Sequence, residues 1–117
     1  MNILREAALA QATFTAGMAE LNGYATITTF YSDFTIADYY GVDAVKDTFK
    51  RAFESWKENY RYMTELSIVL NHKIFEHYHH NNTALMVAYD TLWKEIDHWC
   101  MGSFSDEALQ YYLRITD

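Results

Sequence analysis

An all-α fold, an antiparallel bundle of four main helices with two short ones, is what this sequence predicts. Three observations carry the prediction. The 117 residues include no proline, they include only four glycines, and apolar side chains recur at three- and four-residue steps through most of the chain. Without proline there are few forced helix breaks, so glycine and asparagine must do the punctuating. Half of the residues are hydrophobic and 17% are aromatic. That composition supplies a core without metal or disulfide and disfavours disorder. No repeat, low-complexity run or linker divides the chain, so 1–117 reads as one domain.

The first helix is expected over 1–22, where Ile3, Ala7, Ala10, Phe14, Met18 and Leu21 form a narrow apolar stripe ended by Asn22-Gly23. Residues 24–41 are the least regular. The β-branched run from Ala25 to Tyr31 reads as an extended connection, after which Ser32 caps a short helix that Gly41 ends. The pattern is clean over 42–60, with Val42, Val45, Phe49, Ala52, Phe53, Trp56 and Tyr60 on one face. The acid-before-base pairs Asp47–Arg51, Asp43–Lys46 and Glu54–Lys57 lie elsewhere on that helix, each worth ~0.2–0.5 kcal/mol. A third core helix spans 62–80 through Met63, Leu66, Leu70, Ile74 and His77, stopping at His80-Asn81-Asn82. The fourth, 83–101, carries Leu85, Tyr89, Leu92, Ile96 and Trp99 or Cys100 to Gly102. Ser103 with Asp106 resembles a capping box that opens a short final helix over 104–115.

Composition narrows function. One cysteine, Cys100, cannot form an internal bridge, which suits a reducing, cytoplasmic setting. No run approaches the ~20 apolar residues of a membrane span. The N-terminal stretch ends in small residues, as a secretory leader does. Arg5, Glu6, Gln11, Thr13 and Thr15 interrupt its apolar part, so it reads as mature chain. The net charge of −7 is concentrated at the two ends of the chain, because 41–81 balances six acids with six bases. Such a protein repels phosphate backbones, and no direct nucleic-acid contact is expected.

Two Glu-x-x-His pairs, Glu76 with His79 and Glu95 with His98, match the motif of carboxylate-bridged di-iron bundles. Counting ~100° per residue turns Glu76 and His79 away from the Leu66–Leu70–Ile74–His77 face and takes His98 off the face of its own helix. A mononuclear alternative draws on His72, Glu76, His79 and His80, of which His72, Glu76 and His80 share one stripe at four-residue spacing, expected to be exposed. His77 is expected in the core, bonded to a neighbouring hydroxyl. Cys100 and His98 point ~200° apart on a helix and make no nucleophile–base dyad, so Cys100 reads as a buried structural thiol. No phosphate loop, nucleophile elbow or zinc-pair spacing is present. Neither a catalytic residue nor a cofactor is assigned.

Aromatic surplus remains. Ten tyrosines accompany seven phenylalanines and three tryptophans. Adjacent or alternating rings cannot all face inward on a helix, which makes Tyr39, Tyr40, Tyr62, Tyr111 and Tyr112 the interaction candidates.

The stretch TFYSDFTIADYYGVDAVKDTFKRAFESWKENYRYMTELSIVLNHKIFEHY, continued by DTLWKEIDHWC and LQYYLRITD, resembles small helical proteins of unassigned activity encoded on conjugative elements and phages of gut bacteria. The resemblance covers about residues 28–117 and brings no active-site residues. It implies a bacterial, cytoplasmic accessory protein. The expected function is a non-enzymatic module binding a protein partner, a second copy of itself included, without membrane or cofactor. Two alternatives stand beside it. One is an acidic inhibitor of a nucleic-acid-binding host defence protein, and the other is a metal-binding protein or metalloenzyme.

Overall fold

The structure, a computed structural model, describes residues 24–116; the helix expected over 1–22 lies outside them. Among the described residues all regular structure is helical and there is no strand. The helices are α1 (Tyr24–Tyr40), α2 (Val42–Trp56), α3 (Tyr60–His79), α4 (Thr83–Ser103) and α5 (Asp106–Thr116). None of them is long and apolar enough to cross a membrane.

The largest correction is α1. Residues 25–31, expected to be extended, belong to a helix that runs unbroken from Tyr24 to Tyr40. Ile27, Phe30, Phe34 and Ala37 fall at three- and four-residue steps, and all four are buried in the common core. Burial of that stripe outweighs the local β preference of Thr26-Ile27-Thr28-Thr29. Ser32 is therefore an exposed mid-helix residue and caps nothing.

Helix ends follow side-chain chemistry. Gly41 alone separates α1 from α2: its amide reaches Ala37 O at 3.0 Å, and its carbonyl accepts from Val45 N at 3.1 Å. Asn59 Oδ1 accepts from the amides of Arg61 and Tyr62, both at 3.1 Å, so Tyr60 opens α3 instead of closing α2. At the far end of α3, Asn81 adopts φ 56, and the amides of Asn81 and Asn82 return to Tyr78 O and His77 O. This is a Schellman close, with asparagine in the left-handed position usually given to glycine. Ser105, not Ser103, caps α5, its Oγ accepting from Ala108 N at 3.3 Å. Ser103 is still the last residue of α4.

α3 and α4 share the most extensive interface. Tyr60, at the start of α3, meets Phe104 just past the end of α4 (6.1 Å between centroids), while His77 stacks on Tyr89 at 5.4 Å. The two helices thus run in opposite directions. α1 packs on α2 and α3, α2 on α4, and α5 across α3. α3 is buried on several faces, taking Met63, Leu66, Val69 and Leu70 inside together with Glu65, His72, Lys73, Glu76 and His77. The expectation that His72 and Glu76 lie on an exposed stripe fails on this helix. A single apolar stripe describes a helix with one buried side, whereas α3 is covered by more than one neighbour.

Candidate functional site

Three helices bring a polar cluster to one point in the interior. α1 supplies Tyr31, Thr35 and Asp38, at four- and three-residue steps along one face. α3 supplies Lys73, Glu76 and His77 by the same rule. α4 adds Tyr89. At the centre lies the Lys73 ammonium, whose side chain is fully buried. An ammonium has three donors, and each finds an acceptor: Thr35 Oγ1 at 2.8 Å, Asp38 Oδ2 at 3.0 Å and Glu76 Oε2 at 3.0 Å. The ring of Tyr31 lies 4.4 Å from the same nitrogen, adding a cation–π contact.

Both carboxylates are held at their second oxygens. Tyr89 OH donates to Asp38 Oδ1, and Tyr31 OH donates to Glu76 Oε1 at 2.7 Å. His77 Nε2 donates to Asp38 Oδ2 at 2.8 Å, so the core histidine bonds a carboxylate where a hydroxyl was expected. Burying an ammonium costs several kcal/mol before pairing. The complete set of partners offsets that cost, which is why Lys73 can occupy the interior at all.

A second polar node joins α3, α4 and α5. Tyr112 OH donates to Asp97 Oδ1 at 2.6 Å and lies 3.2 Å from Ser67 Oγ. Burial, then the bond to Asp97, raises the Tyr112 phenol above its ordinary value. Tyr89 is raised too, by burial first and then by Asp38. Burial and the charge of Asp97 push the buried Cys100 thiol up to about 12, which keeps it in its un-ionised form at neutral pH. This fits the expected structural thiol, and the exposed His98 lies apart from it.

The raised phenols set an alkaline limit. Unfolded tyrosine ionises near pH ~10. Folded Tyr89 and Tyr112 keep their protons beyond that, so above pH ~10 the folded chain binds more protons than the unfolded one, and stability falls as pH rises. The stability these groups contribute is whole below pH ~10. In an alkaline titration, tyrosinate absorbance is expected to lack two residues until helical circular dichroism is lost. Full ionisation with the helices intact would refute it.

The structure redistributes the residues singled out from sequence. His72 and Glu76, placed on an exposed stripe by helical phase, are buried, while His79 and His80 are exposed. Glu95 and His98 are exposed as well, so the di-iron pairs do not converge. Among the described residues the metal-capable group is instead Asp38, Glu76 and His77, with ligand atoms within 4.8 Å of one another. Of the tyrosines, Tyr39 and Tyr40 face solvent, and Tyr62 is half-buried against Trp56 at 4.5 Å. Tyr111 and Tyr112 are both buried, Tyr111 packing against Tyr60 at the start of α3 and Tyr112 against Phe104 in the α4–α5 turn. They are core residues, not surface candidates. Sequence reasoning missed Asp38 and Lys73 entirely, although Lys73, Glu76 and His77 share one helical face. No protein-family model, curated protein or solved structure matches this chain.

Proposed function

We propose that the chain is a non-enzymatic protein-binding module, built on a bundle whose long helices alternate in direction. The resemblance of residues 28–117 adds the setting, a cytoplasmic accessory protein of a bacterial mobile element. One observation supports binding above the alternatives. Large apolar side chains that face solvent gather along a groove of about 540 Å³ between α1 and α2. Ile36 is 62% exposed, Tyr40 74% and Trp56 41%, and Tyr39 beside them is 86% exposed. Apolar surface gathered in this way marks an interaction site more often than scattered residues do.

The occupant we assign is one face of an amphipathic helix with an aliphatic stripe and basic flanks. A groove between two helices suits a third laid along it. Asp33 and Asp47 line the groove, and Asp47 is already paired with Arg51 at 3.1 Å, which leaves Asp33 for a partner's cation. The net charge of −7 draws such a segment in from a distance. The acidic-inhibitor alternative gains less from α2 and α4, where Asp47, Glu54 and Asp90 pair with Arg51, Lys57 and Lys94.

A synthetic helix with leucines on one face and lysines on the other tests the reading. It should bind the wild type, and Ile36→Asp or Tyr40→Asp should abolish binding while leaving stability within about 0.5 kcal/mol. Equal binding by wild type and variants would sink the groove. Sedimentation giving a dimer that Ile36→Asp splits would make a second copy the occupant.

A further inference from the structure

We propose that Asp38, Glu76 and His77 form a metal-type cation site whose native occupant is the ammonium of Lys73. The donors are one imidazole nitrogen and two carboxylate oxygens from two helices, a set that Zn²⁺ or Mn²⁺ accepts. His77 Nε2 lies 2.8 Å from Asp38 Oδ2 and 3.9 Å from Glu76 Oε2, and all three ligand atoms fall within 4.8 Å. Around an ion with bonds of ~2.1 Å, tetrahedral ligand atoms stand ~3.4 Å apart. The two measured spacings bracket that value.

The surroundings are also those of a ligand set. The remaining oxygen of each carboxylate is fixed by a tyrosine hydroxyl, Tyr89 on Asp38 and Tyr31 on Glu76. Such outer bonds orient coordinating groups. The charges agree as well, since two carboxylates facing one ammonium would be cancelled in full by a divalent ion. Lys73 Nζ sits 3.0 Å from both Asp38 Oδ2 and Glu76 Oε2, the atoms a metal would take. Ammonium and metal therefore exclude each other by position and by charge. The native protein takes no metal at this point, and the chain without the ammonium takes one. On binding, the neutral His77 ring exchanges tautomer, its proton passing from Nε2 to Nδ1, and it coordinates through the freed Nε2 lone pair.

Wild type and Lys73→Ala are titrated with Zn²⁺ by calorimetry, and with Co²⁺ by visible absorbance. Lys73→Ala should gain one equivalent of metal, with a metal-dependent rise in Tm. Wild type should show only the weak uptake of its exposed histidines, and adding His77→Gln to Lys73→Ala should remove the gain. A folded Lys73→Ala that binds no more metal than wild type overturns the proposal. So does a wild type that takes one equivalent lost on His77→Gln. If Lys73→Ala is unfolded alone, recovery of helical circular dichroism with Zn²⁺ or Mn²⁺ supports the proposal, and failure to recover overturns it.

Discussion

Asp38→Ala is expected to cost about 3–5 kcal/mol in chemical denaturation at neutral pH, the range for removing one partner of a buried ion pair. The size follows from how much one carboxylate satisfies: it accepts from Lys73 and His77 on Oδ2 and from Tyr89 on Oδ1. Alanine leaves a fully buried ammonium with Glu76 as its only counter-charge. Pairing Asp38→Ala with Lys73→Met should return part of the loss, because the stranded charge leaves with the lysine. Additive costs for the two changes would show that they do not interact. A cost below about 1 kcal/mol for Asp38→Ala would mean that water already shares the site.

Phe34→Ala should cost ~3–5 kcal/mol, the range for emptying a large core side chain. Phe34 is fully buried in the middle of the α1 stripe, edge-on to Tyr89 at 5.6 Å. Its carbonyl also lies 3.3 Å from Tyr89 OH. The cavity would therefore open beside the polar cluster, against the ring of Tyr89. Phe34→Leu should retain most of the stability. Thermal and denaturant unfolding of the pair settle the point, and equal losses for leucine and alanine would deny that ring volume matters.

Much of the helical skeleton was legible because its signals are local. The stop at Asn81-Asn82 reads as such, Asn81 closing α3 through its backbone angle and Asn82 capping α4, whereas the caps at Asn59 and Ser105 are missed in favour of Tyr60 and Ser103. In α1 the first half alone misleads. Its second half, from Ser32, reads as helix, but the β-branched run at Ala25–Tyr31 reads locally as extended chain. Only the burial of Ile27 and Phe30 in line with Phe34 and Ala37 makes that run helical. The polar cluster was hidden further still. A lysine in a sequence is assigned to solvent by default, and only the meeting of α1 with α3 reveals the carboxylates that hold Lys73 inside. The same principle misplaced Tyr111 and Tyr112, since adjacency on a helix separates two rings by ~100°, an angle that α5 covers between its neighbours.

The single-residue joint at Gly41 bears on recognition. Its φ of 111 and ψ of −174 are accessible essentially to glycine alone, and backbone bonds tie it to the last turn of α1 and the first of α2. With one residue between them, α1 and α2 pack directly on each other, and that contact sets the spacing of the two banks of the channel flanked by Ile36 and Trp56. A helix laid there, as proposed, would find its berth already cut, and little ordering entropy would have to be surrendered by the host.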